Sequence, residues 1–173
     1  GVKIGSKMIF ETAIVIAVSA ALASMRPTPI TNSIKLKLTT SQRSAAKTIE
    51  LTFGQFGFKD RMIQAAITNA FAESGLNAKA IGDSGHSIGL FQESDWGAGK
   101  NVSKLDRLDA VKNCIVIIKT ELLGKKVASE IENAKDAGQA AAIFCAKVER
   151  PRDIKGESTK RAKLALKMFG QNG

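Results

Sequence analysis

The chain has 173 residues of 44% apolar composition, enough for one core of ordinary size plus an appendage, which excludes a disordered chain and a large multi-domain assembly. With 26 Lys+Arg against 16 Asp+Glu the net charge is +10, so a polyanion or anionic surface is favoured as partner: nucleic acid, acidic lipid or bacterial cell wall. Single-stranded nucleic-acid binders interleave basic residues with aromatic platforms, whereas this chain has no Tyr, one Trp and Phe residues at mostly helical core spacing, which argues against nucleic acid.

Taken in order, residues 1–25 contain the run Met8 to Met25, apolar around the helical wheel except at Glu11 and preceded by Lys3 and Lys7. It reads as a membrane-seeking helix, and Ala21-Leu22-Ala23 before Ser24 also matches a secretory cleavage site. From Thr12 the charge-free stretch is short of the roughly 20 residues that span a bilayer. We expect an anchor, an uncleaved leader or a protein-packed helix rather than a cleaved signal, with oligomerisation through this helix left open. Residues 26–40, with Pro27, Pro29 and a run of Thr, Ser and Asn, are expected to be an extended linker.

Residues 41–173 are expected to form the catalytic domain, with helices at Ser41–Phe53, Lys59–Glu73, Leu105–Leu123, Lys125–Lys135, Asp136–Val148 and Ser158–Phe169. The Gly-rich stretch Leu76 to Trp96 breaks the pattern and predicts turns and a small hairpin. The fold class is therefore mainly α with a small loop or hairpin region. Cys114 and Cys145 sit in apolar helical runs where buried thiols are common, and they leave the redox compartment open. No Cys/His cluster has metal-ligand spacing, so no metal is assigned and no cofactor is implied.

Met62, Ile63, Ala66, Ile67, Ala70 and Phe71 make one apolar stripe on a helix ending at Glu73-Ser74-Gly75, with Gly75 as its C-cap. A carboxylate in a last turn is disfavoured by the helix dipole, and apolar neighbours would add to that, so Glu73 is predicted to favour the protonated form that a general acid needs.

Glu73 opens the string E-S-G-L-N-A-K-A-I-G-D, and G-H-S-I-G-L-F-Q follows at 85–92. Together they resemble the lysozyme-like transglycosylase domain shared by soluble lytic transglycosylases, goose-type lysozymes and phage virion-associated lysins. Trp96-Gly97-Ala98-Gly99, then Arg107, Asp109 and Asn113, and finally F-C-A-K-V-E-R-P at 144–151 extend the resemblance over about Thr48 to Phe169. The last stretch is similar to that closing phage-encoded members. The resemblance implies an α+β lysozyme-like fold and cleavage of the β-1,4 bond between N-acetylmuramic acid and N-acetylglucosamine in peptidoglycan. Glu73 would be its acid/base, and Ser87, Gly89 and Gln92 would line the saccharide groove. His86 either contacts substrate or bonds backbone, and Trp96 either stacks on a sugar face or packs in the core. Glu149 and Arg150 read as a buried ion pair with an architectural role.

An inverting hydrolase needs a second carboxylate about 6.5–9.5 Å from the acid, whereas a lytic transglycosylase needs one. Asp83 matches an aspartate of goose-type lysozymes, but their second, two residues after the glutamine, is Ser94 here, with Asp95 one step further as a substitute. The departure favours the lyase. The rival readings are a structural virion or channel protein whose domain binds glycan without cutting it, and a basic nucleic-acid binder using Lys160, Arg161, Lys163 and Lys167. We expect action outside the cytoplasm, in a phage virion or in the bacterial periplasm and envelope.

Overall fold

The computed structural model describes the backbone of residues 2–171 and the side chains of residues 10–171. Helix α1 (Val2–Ala23) takes up the N-terminal run, while the side chains of Lys3 and Lys7 lie outside the described ones. Ile14, Val18 and Ala21, spaced by four and three, bury one stripe against Leu51, Val111 and Ile115. Phe10 meets Phe56 edge-on at 5.9 Å, and Glu11 pairs with Lys119 at 2.7 Å. Among the described residues no helix is long and apolar enough to cross a membrane, which corrects the membrane-helix expectation. The physical reason is that Glu11 interrupts the apolar run and the helix spends its strongest stripe on protein.

The stretch expected to be extended contains a helical turn, α2 (Pro29–Asn32). Proline is tolerated at the first helical position, and the buried Glu50 carboxylate accepts the free amides of Ile30 and Thr31 at 3.1 and 2.8 Å. Ile30 and Ile34 thereby enter the main core.

Thr39 and Gln42 form a capping box that starts α3 (Thr40–Gln55), and α4 (Asp60–Ser74) follows. The single helix expected over Leu105–Leu123 is broken into α5 (Lys104–Arg107) and α6 (Ala110–Ile117). Asp109 causes the break, because its side chain caps α6 by accepting from Lys112 N at 2.9 Å. A π-turn (Ile118–Leu122) ends α6, α7 (Lys126–Glu132) comes next, and α8 (Ala137–Phe144) also runs into a π-turn, Cys145–Glu149. Helix α9 (Ile154–Phe169) begins four residues before the expected Ser158, since Asp153 accepts from Gly156 N at 3.0 Å and caps it.

Helix α4 is central. Its Met62, Ala66, Ile67 and Ala70 share the core with Ala140, Ala141 and Phe144 of α8 and Ala165 and Met168 of α9. The alanines let these helices approach closely. Strands β1 (Ile81–Gly82), β2 (Ser87–Ile88) and β3 (Glu93–Ser94) form an antiparallel sheet in that order, with Ile88 opposite both Ile81 and Glu93. Phe91 fastens this small sheet to the helices, its ring 6.2 Å from Phe53 and 5.9 Å from Phe144. Full burial of a side chain of this size contributes ~1.5–3 kcal/mol. Both cysteines are buried thiols.

Candidate active site

Glu73 stands in the last turn of α4, which Gly75 closes in the left-handed conformation with φ 65°. The apolar setting expected from sequence is not what surrounds it. Glu73 Oε1 accepts a 3.0 Å bond from Arg161 Nη2, and Arg161 Nη1 donates to Asn69 Oδ1 at 2.8 Å, one turn back on α4. The Arg161 side chain is only 6% exposed against 22% for Glu73, so the guanidinium backs the carboxylate from inside. Arg161 therefore leaves the basic face to which the sequence reading assigned it, while Lys160, Lys163 and Lys167 stay exposed. The missed signal is periodicity, because 161 falls on one helical stripe with Ala165, Met168 and Phe169, all buried.

The sheet is tied to the end of α4 where Ser74 Oγ meets the Leu90 carbonyl at 2.8 Å. Gln92 Nε2 donates to the carbonyls of Ala80 and Gly89 at 3.1 and 3.0 Å, so its amide nitrogen holds the hairpin shut. Ser87 is half-buried on β2 opposite Ser94. Gly89 is required by the interior: its φ is 84°, and a Cβ there would run into the Arg107 carbonyl and the Asn113 amide. Asn113, wholly buried, donates to Ile88 O and Arg107 O at 3.1 and 2.9 Å and accepts from Phe91 N at 3.2 Å. Sequence reasoning named Asn113 without finding this clamp.

Asp95 is held from two sides, by His86 Nδ1 at 2.9 Å and Arg107 Nη2 at 2.6 Å. The His86 bond first, then the Arg107 bond, keeps its carboxyl below the usual range. His86 stacks on Trp96 with ring centroids 4.5 Å apart, and Trp96 is 70% exposed. An aromatic pair open to solvent on a sheet edge is free to take a sugar face. Asp83 is exposed on the 3-10 turn Asp83–Gly85, with φ 52°.

Among the described residues, two acids have buried oxygens that make no hydrogen bond. Neither oxygen of Glu93 makes a hydrogen bond, nor does Glu149 Oε1. The expected Glu149–Arg150 ion pair is corrected: Arg150 reaches Glu121 with two 3.0 Å bonds, because its left-handed backbone, φ 50°, turns it away from its neighbour. Burial pushes the Glu93 carboxyl well up, Glu149 adds to the rise, and Arg107 opposes it. Burial likewise raises Glu149, with Glu73 next.

Both groups bind protons more tightly folded than unfolded, where Glu titrates at about 4.3. Their contribution is complete below that value and is lost as pH rises through the folded value. Resistance to denaturant is expected to fall as pH rises above about 4.3 through the neutral range, and Glu93→Gln to flatten the slope. Urea midpoints across that range check it; a midpoint that climbs would contradict the assignment.

A concavity of about 870 Å³ lined by Pro27, Glu50, Lys59 and Glu132 contains neither Glu73 nor the sheet. Among the described residues no group of three His, Cys, Asp or Glu side chains is placed to hold a metal ion.

Residues 43–171 match the family described as phage tail lysozyme. The chain belongs to the phage tail lysozyme family. No curated protein and no solved structure matches it. The helical body with its three-stranded sheet is the lysozyme-like fold expected for such a member. Membership makes the chain a peptidoglycan-degrading glycosidase, a phage virion-associated protein acting on the cell wall. In a phage tail lysozyme, Glu73 stands where a helix ends against a small sheet, with one oxygen committed to Arg161.

Proposed function

We propose that the chain is a lytic transglycosylase that cuts the muramyl β-1,4 bond with Glu73 as its one acid/base. The observation that carries this reading is the contrast between two carboxylates: Glu73 has a single ionic partner on Oε1, whereas both oxygens of Asp95 are engaged. Asp95 so held is a brace for His86 and Arg107 rather than an activator of water. Protonated Glu73 gives its proton to the glycosidic oxygen as the bond from the anomeric carbon breaks, with the N-acetyl group assisting at that carbon. Arg161 steadies the carboxylate that results. That carboxylate then removes the proton of the muramyl 6-hydroxyl, whose oxygen closes the 1,6-anhydro ring, and no water is consumed.

Ser87, His86 and Trp96 are assigned to the saccharide side of the site, with Gly89 and Gln92 holding the hairpin that presents them. Trp96→Ala is expected to raise the half-saturating substrate concentration roughly 2–10-fold, from a stacking contribution of ~0.5–1.5 kcal/mol. Its melting temperature should not move, because the ring is mostly in solvent. An unchanged saturation curve would remove Trp96 from the site.

The deciding experiment is mass spectrometry of soluble products from purified peptidoglycan treated with the intact chain. Anhydro-muropeptides support the lyase. Products heavier by one water make the enzyme a hydrolase and turn attention to Asp83, whose exposure suits a water-activating base. No products over a range of salt and pH would defeat the enzymatic reading and favour a glycan-binding virion component.

A further inference from the structure

Peptidoglycan cleavage uses neither the outward face of α1 nor the basic residues where that helix ends. Ile14, Val18 and Ala21 face the protein, while Ala13, Ile16, Ala20 and Ala23, spaced by three, four and three, lie exposed on the opposite side. Four of the nine exposed large apolar side chains among the described residues belong to this segment: Phe10, Ile16, Leu22 and Met25. Met25 is 85% exposed at a left-handed φ of 54°, a conformation that bulky residues rarely adopt. No charged residue lies between Thr12 and Met25.

Just past the end of α1, Leu22, Met25 and Leu38 share a hollow of about 620 Å³ with Arg26, Arg43 and Lys47, and no carboxylate lines it. Arg43 and Lys47 stand four residues apart on α3, where like charges repel, and both are half-buried. Among the described residues no ion pair includes any of the three cations. The molecule thus sets three uncompensated positive charges beside apolar side chains that it leaves in water. We infer that this end of the chain is a docking surface for an anionic phospholipid bilayer. Lipid phosphates seat against Arg26, Arg43 and Lys47, and Leu22, Met25 and the outward face of α1 lie among the upper acyl chains. The helix lies along the bilayer without crossing it, because its inward stripe stays on Leu51, Val111 and Ile115. Free phosphate or a nucleic acid would engage the cations and leave the apolar residues in water. A short acidic peptide would fill the hollow and leave Ala13 and Ile16, further up the helix, uncovered. An anionic amphiphile uses both parts.

Flotation of the intact chain with vesicles tests this. Vesicles of phosphatidylglycerol mixed with phosphatidylcholine should carry the protein, and pure phosphatidylcholine should not. Arg43→Gln combined with Lys47→Gln is expected to weaken binding about 5-fold per cation, roughly 25-fold together. Lys163→Gln combined with Lys167→Gln removes the same charge from exposed positions of α9 and should cost about twofold or less. Met25→Ser should weaken binding roughly 10-fold, by taking an apolar side chain from the acyl region. Equal binding to both kinds of vesicle, binding to neither, or an equal loss from the α9 pair would overturn the inference. So would no loss from Met25→Ser, which would leave a site for phosphate alone. The wild-type chain offers a readout that needs no variant. Peroxide converts exposed Met25 to its sulfoxide, followed by mass spectrometry of the peptide that contains it; mixed vesicles should slow this, and inorganic phosphate should not. Protection by phosphate, or none by the vesicles, would also overturn the inference. Docking does not involve Glu73, so Glu73→Gln should float as the wild type does, whatever becomes of the cleavage reaction.

Discussion

Glu73→Gln is expected to slow peptidoglycan cleavage by ~10³-fold while leaving the fold unchanged. Glutamine keeps the volume of the side chain and an oxygen to accept the 3.0 Å bond from Arg161, so the buried guanidinium loses no partner. What it lacks is the proton for the glycosidic oxygen, and a ~10³-fold loss corresponds to ~4 kcal/mol in the barrier. Glu73→Ala is a poorer test. It takes from a buried cation its nearest carboxylate, leaving Glu157 at 3.5 Å, which costs up to ~3–5 kcal/mol of stability and confuses misfolding with lost chemistry. Initial rates of muropeptide release, set beside urea midpoints for both variants, separate the two effects. A Gln variant that retains a tenth or more of the wild-type rate would exclude Glu73 as the acid.

The position of Glu73 was legible because two local signals agree: an apolar stripe at helical spacing from Met62 to Phe71, and a glycine where the helix must end. Its partner was not legible in the same way. Arg161 lies 88 residues away and is embedded among lysines that do face water, so charge composition hid what periodicity would have shown. The same limit explains Glu50 and α2, since a carboxylate that caps a helix twenty residues earlier has no local signature. Glu149 and Arg150 mislead for a different reason. Adjacent opposite charges look like a pair, yet the change from π-turn to left-handed backbone between them sends Arg150 to Glu121 and leaves Glu149 with a buried oxygen unpartnered. The Gly-rich stretch announced a hairpin but not why each glycine is needed, because the atoms that crowd Gly89 come from α5 and α6.

That crowding makes Gly89→Ala the most destabilising single methyl group to be expected in the site. Two costs combine. A side chain at φ 84° carries about 1–2 kcal/mol of backbone strain. The added Cβ also displaces the Arg107 carbonyl and the Asn113 amide, and opening the Asn113 clamp leaves buried groups of Ile88, Phe91 and Arg107 short of a partner, at ~1–3 kcal/mol each. The expected loss is about 4 kcal/mol or more, with activity lost as the sheet leaves the end of α4. Gly57→Ala is the matched control, because its φ is 85° and nothing lies within 4 Å of the new methyl, so it bears the strain without the collision. Urea unfolding of the two variants should therefore differ by about 2 kcal/mol or more. Equal midpoints would mean that the sheet yields to the methyl without cost, and that the Asn113 clamp does not fix the hairpin against Glu73.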